Sequence, residues 1–305
     1  MEPFKIHILG CGSALPTLRH NTSSQVVEIR GKFFMVDCGE GTQTQMRRLH
    51  ISYNRLSAVL LTHIHGDHCF GLIGMICTFG LLGRKMPLHI YAPKEMKSVL
   101  DILIEKFCRD LGYDVVFHDV DTTRRAVIYE DRSLKIETLP LEHRVPCAGF
   151  LFTEKPRLPH IRRDMTDFYN IPVSQINNIK NGADWTDSEG NVIPNSRLTR
   201  PAGSPRSYAY CSDTRYLPSL HRELTGVSAM YHEATYLDGD EKSAEQYCHS
   251  TARQAAMVAR DAGAGKLLIG HFSSRHTDEQ EYLRQAQEVF ADTILADEGM
   301  VYEIK

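Results

Sequence analysis

The stretch that most limits what this chain can become spans residues 56–83, LSAVLLTHIHGDHCFGLIGMICTFGLLG. Its apolar run Ala58-Val59-Leu60-Leu61 has the length and branching of a buried strand. Thr62, His63, Ile64, His65, Gly66, Asp67 and His68 follow at once, and an apolar segment of helical character comes after them. Three imidazoles and a carboxylate within six residues, at the end of a buried strand, would be costly without partners. A metal ion supplies those partners, and neutral imidazole with carboxylate is a donor set that suits zinc. His63 and His65 lie two apart, so an extended segment points both to one side, where they can share an ion. Gly66 permits a sharp turn, after which Asp67 and His68 open the following helix and face a neighbouring point. One segment therefore offers ligands to two ions.

The rest of the chain is large enough to build around such a centre. At 305 residues and 42% hydrophobic content it can bury a full core, as one domain or a domain with an insertion. No apolar run is long enough to cross a membrane. The opening MEPFKIHILGCG lacks the basic, apolar and small-residue regions of a secretion signal. Eight cysteines are scattered without a Cys-x-x-Cys pair, and Cys11, Cys38, Cys77 and Cys211 sit in apolar contexts. They read as reduced core residues, which sets the expected location in the cytoplasm. A formal charge of −3 gives no global attraction to nucleic acid, so any such binding has to come from local patches.

Taken in order, residues 4–9 alternate as a strand and end in Gly10-Cys11-Gly12-Ser13. Strands are expected at 25–29 and 33–36 around a hairpin signal, and a glycine-rich bend at 37–42 leads into a helix over 43–49. Residues 88–91 read as a strand and 93–111 as an amphipathic helix with proline in its first turn. Further strands are expected at 114–119, 126–129 and 134–139. From 152 to 207 the periodicity fades and prolines recur, as in an inserted arm. Strands at 208–211, 228–231 and 266–269, helices at 251–262 and 278–289, and two last strand candidates complete the chain. Strands followed by helices in both halves predict two sheets packed inside flanking helices.

Three more donors stand where His63 stands, just past an apolar strand: His143, Asp213 and His271. Together with Thr62-His63-Ile64-His65-Gly66-Asp67-His68, they give the chain a pattern that resembles the metallo-β-lactamase superfamily. The resemblance implies an α/β fold, a four-layer αββα sandwich of 1–305 with the metals at one edge of its sheets. It also implies two zinc ions per subunit: one bound by His63, His65 and His143, the other by Asp67, His68 and His271, with Asp213 bridging them. Flavodiiron-type members carry glutamate where this chain has His65, and imidazole there favours zinc. A closer resemblance is to the ribonuclease Z family of short form, which removes 3′ trailers from precursor tRNA. It rests on His232-Glu233-Ala234-Thr235, His249-Ser250-Thr251 and Gly270-His271-Phe272-Ser273-Ser274-Arg275.

That resemblance implies a hydroxide shared by the two zincs as nucleophile, Asp67 orienting it, and His249 as proton donor oriented by Glu233. It makes 152–207 a flexible, protruding tRNA-binding arm, with Arg157, Arg162, Arg163 and Lys180 as phosphate contacts, and it implies a homodimer. Arg206 also counts among the basic residues of that arm. The family loop Pro-x-Lys-x-Arg-Asn is here Pro16-Thr17-Leu18-Arg19-His20-Asn21, which leaves Arg19 and Asn21 as its substrate-facing candidates. Two other readings share these residues. One is a different dizinc hydrolase, a small phosphodiesterase or a glyoxalase II-like thioesterase; the other is a non-catalytic RNA-binding protein with structural metals. The His-Glu-Ala-Thr and His-Ser-Thr boxes and the arm favour RNA, and the full ligand set favours catalysis.

Overall fold

The computed structural model describes residues 2–305, which form two compact units. The larger unit comprises the residues up to Asp131, Lys135–Thr153 and Arg206–Lys305; the smaller comprises Arg132–Leu134 and Glu154–Pro205.

The larger unit opens with β1 (Phe4–Gly10), β2 (Ser24–Ile29) and β3 (Lys32–Val36). Arg30 and Gly31 join β2 to β3 with φ of 48° and 78°, the left-handed pair that a two-residue hairpin turn demands. There follow α1 (Thr42–Arg48), β4 (Leu56–Leu60), α2 (Gly66–Cys69) and α3 (Leu72–Leu81). β5 (Leu88–Ala92), α4 (Glu95–Phe107) and β6 (Val115–Asp119) complete the first half. α4 stops at Cys108, short of the periodic pattern, which continues to 111.

β7 (Val127–Glu130), β8 (Leu134–Leu141) and β9 (Cys147–Glu154) begin the second sheet. β9 is the element that the pattern conceals. Cys147 to Phe152 are buried on both faces, so no alternation marks them, and the expected boundary at 152 falls inside this strand. Its Gly149 is needed, because a Cβ there would lie 2.4 Å from the carbonyl oxygen of Tyr210 on the neighbouring strand.

The smaller unit carries β10 (His160–Ile161), α5 (Arg163–Phe168), α6 (Ile176–Lys180), β11 (Trp185–Thr186), β12 (Val192–Ile193), α7 (Asn195–Leu198) and β13 (Thr199–Arg200). β10 pairs with β13 and β11 with β12. Ile171, Ile179, Ile193 and Leu198 form a buried apolar cluster inside it, against which Met165, Tyr169 and Trp185 pack. A segment that reads as polar and turn-rich thus has a small core of its own.

The chain returns to the larger unit with β14 (Ser207–Cys211), α8 (Leu220–Glu223), β15 (Ala229–Glu233) and α9 (Glu241–Tyr247). α10 (Ala252–Ala262), β16 (Leu267–Gly270), α11 (Glu279–Gln287), β17 (Thr293–Leu295) and β18 (Val301–Glu303) follow. Thr251 caps α10 through a capping box with Gln254, and Asp278 caps α11, so both expected helices start where their polar caps allow.

Two seven-stranded sheets result, in the orders β18-β1-β2-β3-β4-β5-β6 and β17-β16-β15-β14-β9-β8-β7. β3 to β6 run parallel, as do β14 to β17. Met46, Leu72, Met75, Phe79, Met96 and Leu100 from α1, α3 and α4 cover the first sheet over Val26, Met35, Val59 and Ile90. Ala255, Ala256 and Ala259 of α10 are buried where that helix packs on β15 and β16. Phe34 of the first sheet meets Tyr129 and Phe152 of the second at ring distances of 5.1 and 6.0 Å. Helix, sheet, sheet, helix is the four-layer order that the patterning predicts. Among the described residues no helix is long and apolar enough to cross a membrane.

Candidate active site

The parallel strands deliver their chemistry at their carboxyl ends, where ligands of such sheets gather. β4 runs into His63, His65, Asp67 and His68, β8 into His143, β14 into Asp213, β15 ends in Glu233, and β16 leads into His271. These residues, scattered over more than two hundred positions of the chain, converge. One potential ligand atom each from His63, His65, His143 and Asp213 lie within 4.8 Å of one another, and the same holds for Asp67, His68 and His271.

Asp213 touches both groups. Its Oδ2 lies 3.7 Å from His63 Nε2 and 3.8 Å from His143 Nε2, while its Oδ1 lies 3.5 Å from His68 Nε2 and 3.3 Å from His271 Nε2. Asp67 Oδ2 is 3.5 Å from both His68 Nε2 and His271 Nε2. His68 Nε2, His271 Nε2 and Asp213 Oδ1 are buried polar atoms that have no hydrogen-bond partner. Three such atoms aimed at one point are expensive unless a cation joins them, so the donor set fits a pair of metal ions. Imidazole and carboxylate together favour zinc among the common divalent ions.

Each imidazole is held by its other nitrogen. His68 Nδ1 bonds Asp37 Oδ2 at 2.8 Å, His63 Nδ1 bonds Thr62 Oγ1 at 2.9 Å, His143 Nδ1 bonds the Cys248 carbonyl at 3.0 Å, and His271 Nδ1 bonds Thr235 Oγ1 at 2.8 Å. These contacts leave Nε2 of all four rings facing inward, the arrangement that orients metal-binding histidines. Asp37 and His271 both have left-handed backbones, with φ of 57° and 62°, strain that the surrounding bonds maintain. Asp37 also accepts the Thr62 amide at 2.8 Å and the Tyr210 hydroxyl at 3.2 Å. Pattern reading places Asp37 in a turn and misses it as the support of His68; an acidic residue ending a buried strand was the available signal.

Burial lowers the basicity of His63 far below the usual range and pushes His143 down to about 4, so both rings are neutral and able to donate a lone pair. Burial opposes ionisation of Asp67 and Asp213, but the His271 and His68 rings outweigh it and hold both carboxyls well below the usual range.

Glu233 is fully buried. Its Oε1 accepts from Thr214 N, Ser250 N and His249 Nδ1 at 3.1, 3.0 and 3.0 Å, and its Oε2 from Thr235 N and Oγ1 at 2.9 and 2.8 Å. Buried and saturated, Glu233 meets no substrate; it positions His249 directly and His271 through Thr235. Burial disfavours a charge on His249, yet the Glu233 carboxylate prevails and raises its pKa to about 9. A ring nitrogen of His249 also comes within 4.8 Å of the ligand atoms of Asp213 and His271. His232, beside Glu233, is fully buried and bonds the Glu233 carbonyl at 2.7 Å.

A cleft of about 380 Å³ opens over these groups, lined also by Ala14, Phe70 and Arg144. Ala14 N donates to Asp67 Oδ2 at 2.8 Å. The loop at 16–21 is anchored away from the ligands. Arg19 pairs with Glu279 at 2.9 Å, His20 Nε2 lies 2.6 Å from the same carboxylate, and Asn21 Nδ2 donates to Glu298 at 2.9 Å. Asn21 is thus committed to a protein carboxylate. In the smaller unit Arg157 pairs with Glu154 and Arg162 with Asp164, each at 2.9 Å, while Arg163 is exposed and Lys180 half-buried. Arg206 falls outside that unit. It is buried and donates to the Ile304 carbonyl at 2.8 Å, which corrects its place among the basic residues of the arm.

A four-layer sandwich with seven such donors at its strand ends is a metallo-β-lactamase-fold protein. Among solved structures the chain is similar to the short form of human tRNase Z, with a TM-score of 0.71, 23% identity and 99% of each chain covered. It is also similar to a metallo-β-lactamase fold protein of Bacillus subtilis, YhfI, with a TM-score of 0.70, 17% identity and coverage of 99% and 100%. These likenesses bear on the fold. A family model described as Anti-Pycsar protein Apyc1 matches residues 4–155. Over 300 residues, 98% of this chain and 99% of the relative, the sequence is 53% identical to ribonuclease Z of Bacteroides fragilis. The chain belongs to the ribonuclease Z family, and with it to the hydrolytic endoribonucleases.

Proposed function

We propose that the protein is a zinc-dependent endoribonuclease that cuts the 3′ trailer from precursor tRNA, leaving a 3′-hydroxyl on the tRNA and a 5′-phosphate on the trailer. The observation that carries this is the near-complete, 53% identity with a protein named ribonuclease Z. The chemistry of the cleft agrees with it. Two zinc ions, one held by His63, His65 and His143 and one by Asp67, His68 and His271 with Asp213 common to both, supply Lewis acidity and lower the pKa of water to about 7.

The protein's own groups move the protons. Asp67 Oδ2 is tied to the Ala14 amide, which leaves Oδ1 to orient the attacking water and take its proton. The water oxygen bonds to phosphorus as the bond from phosphorus to the 3′-oxygen breaks. His249 Nδ1 faces Glu233, so Nε2 is the atom that hands a proton to the departing 3′-oxygen. With a pKa raised to about 9 the ring holds that proton at neutral pH. Arg157, Arg162, Arg163 and Lys180 of the smaller unit contact tRNA phosphates, with Arg19 at the loop beside the cleft. Recognition of a folded RNA by shape and backbone needs little base readout. The enzyme works as a homodimer in the cytoplasm, where its substrate is made.

The test is incubation of purified protein with a precursor tRNA, with and without chelator, followed by mapping of both new ends. A 3′-hydroxyl at the tRNA end, a 5′-phosphate on the trailer and loss of cleavage on chelation, restored by zinc, are expected. Intact precursor alongside rapid hydrolysis of a thioester would sink the proposal.

A further inference from the structure

Arg144 is the one lysine or arginine among the residues lining the cleft. It follows His143 directly and is exposed. Its guanidinium carbon lies 5.7 Å from the centroid of the Tyr247 ring. The arginines around it differ. Arg215 lies 3.5 Å from Glu142, and Arg125 pairs with Glu223 at 2.9 Å. Among the described residues no carboxylate comes within ion-pair distance of Arg144, so its five N–H donors face the cleft uncommitted.

The position of this cation is prepared. The bond from His143 Nδ1 to the Cys248 carbonyl ties the loop bearing Arg144 to the residue after Tyr247. The bond that orients His143 therefore also brings the Tyr247 ring beneath the guanidinium, and an aromatic face favours a cation by about 0.5–1 kcal/mol at exposed sites. Next to the guanidinium stand His143 and Asp213, the latter already shared between the two ligand groups. Bound ions take up the charge of the scissile phosphate. A planar fork beside them matches a second phosphate, which it can grip through two parallel bonds.

Resting on the endoribonuclease reading, we propose that Arg144 is a substrate-binding residue that holds the phosphodiester adjacent to the one being cut. It sorts substrates by their number of phosphates: a strand offers a second phosphate to the fork, and a lone diester does not.

The experiment compares wild type, Arg144→Ala and Arg144→Lys, all zinc-loaded, on precursor tRNA and on bis(p-nitrophenyl) phosphate, a single diester. Arg144→Ala is expected to raise KM for precursor tRNA about 10- to 100-fold with kcat held, the usual loss for a charged hydrogen bond. The slope of log KM against log salt should fall by about one. Arg144→Lys should recover part of the affinity, and hydrolysis of the single diester should stay within about twofold, since removal of an exposed side chain leaves the fold intact. Equal losses on both substrates, or an unchanged KM for RNA, would overturn the assignment. Should wild type spare precursor tRNA altogether, the tRNA reading falls separately. The variants are then compared on oligoribonucleotides of two and three residues, where a loss confined to the longer upholds Arg144 and a uniform loss removes it.

Discussion

His249 and Glu233 divide one task between an atom the substrate can reach and an atom it cannot. Glu233 accepts five donors inside the protein, and the only imidazole among them is His249. Removing that imidazole should leave the seven ligands in place, because the buried rings among them are anchored elsewhere: to Asp37, Thr62, Thr235 and the Cys248 carbonyl. His249→Ala is therefore expected to lose about 10²- to 10⁴-fold in kcat, the usual worth of a general acid. Metal content by atomic emission should stay at two ions per chain. A variant that sheds an ion would assign His249 to the ligands, as its nearness to Asp213 and His271 allows. Unchanged turnover would take it out of the mechanism. The donors were legible in the sequence because they stand directly after apolar runs. Asp37, Thr62 and Thr235 were not legible as supports, since one hydroxyl or carboxylate at a bend has no period to betray it.

Among the elements, periodicity exposed those with one wet face and hid those without. α10 and α11 have polar caps and alternating faces, and their ends lie within a residue or two of the expected ones. β9 is dry on both sides and surfaced only in the structure. The smaller unit fails the same test from the opposite direction. Its four buried aliphatics, Ile171, Ile179, Ile193 and Leu198, are too widely spaced in sequence to form a pattern, yet they meet. A unit with its own core can be removed as a unit. Replacing residues 157–200 by a short glycine-serine link should leave hydrolysis of bis(p-nitrophenyl) phosphate unchanged and weaken binding of precursor tRNA. Arg157 and Arg162 are already paired inside the unit, so the released charge is closer to two than to four. The salt slope of tRNA binding should accordingly drop by about 2, at close to one unit for each phosphate no longer held. Unaltered affinity and slope would mean that this unit does not hold RNA.

For the whole molecule, the outer face of α3 and α4 poses a problem that a second copy would solve. Phe70, Leu81, Leu82, Ile102 and Phe107 are exposed there, Leu81 by 88% and Phe107 by 70%. Ile64, Phe70, Ile73, Val99 and Leu103 also line an apolar groove of about 380 Å³. Monomeric proteins seldom leave contiguous apolar patches of more than a few hundred Å² in water. A two-fold interface would cover such a face with its own copy. Light scattering at micromolar concentration should thus report a dimer, and Leu81→Glu with Phe107→Glu should turn it into a folded monomer. The same dimer allows the arm of one subunit to present tRNA to the cleft of the other. Mixing decides between the two routes. Subunits lacking 157–200 keep a live cleft without an arm, and His249→Ala subunits keep an arm beside a dead cleft. If the arm serves the partner, heterodimers of the two should cleave precursor tRNA at up to half the rate of wild type, although each homodimer is nearly inactive. If the arm serves its own cleft, the mixture should do no better than its parts, and the route across the dimer is then closed.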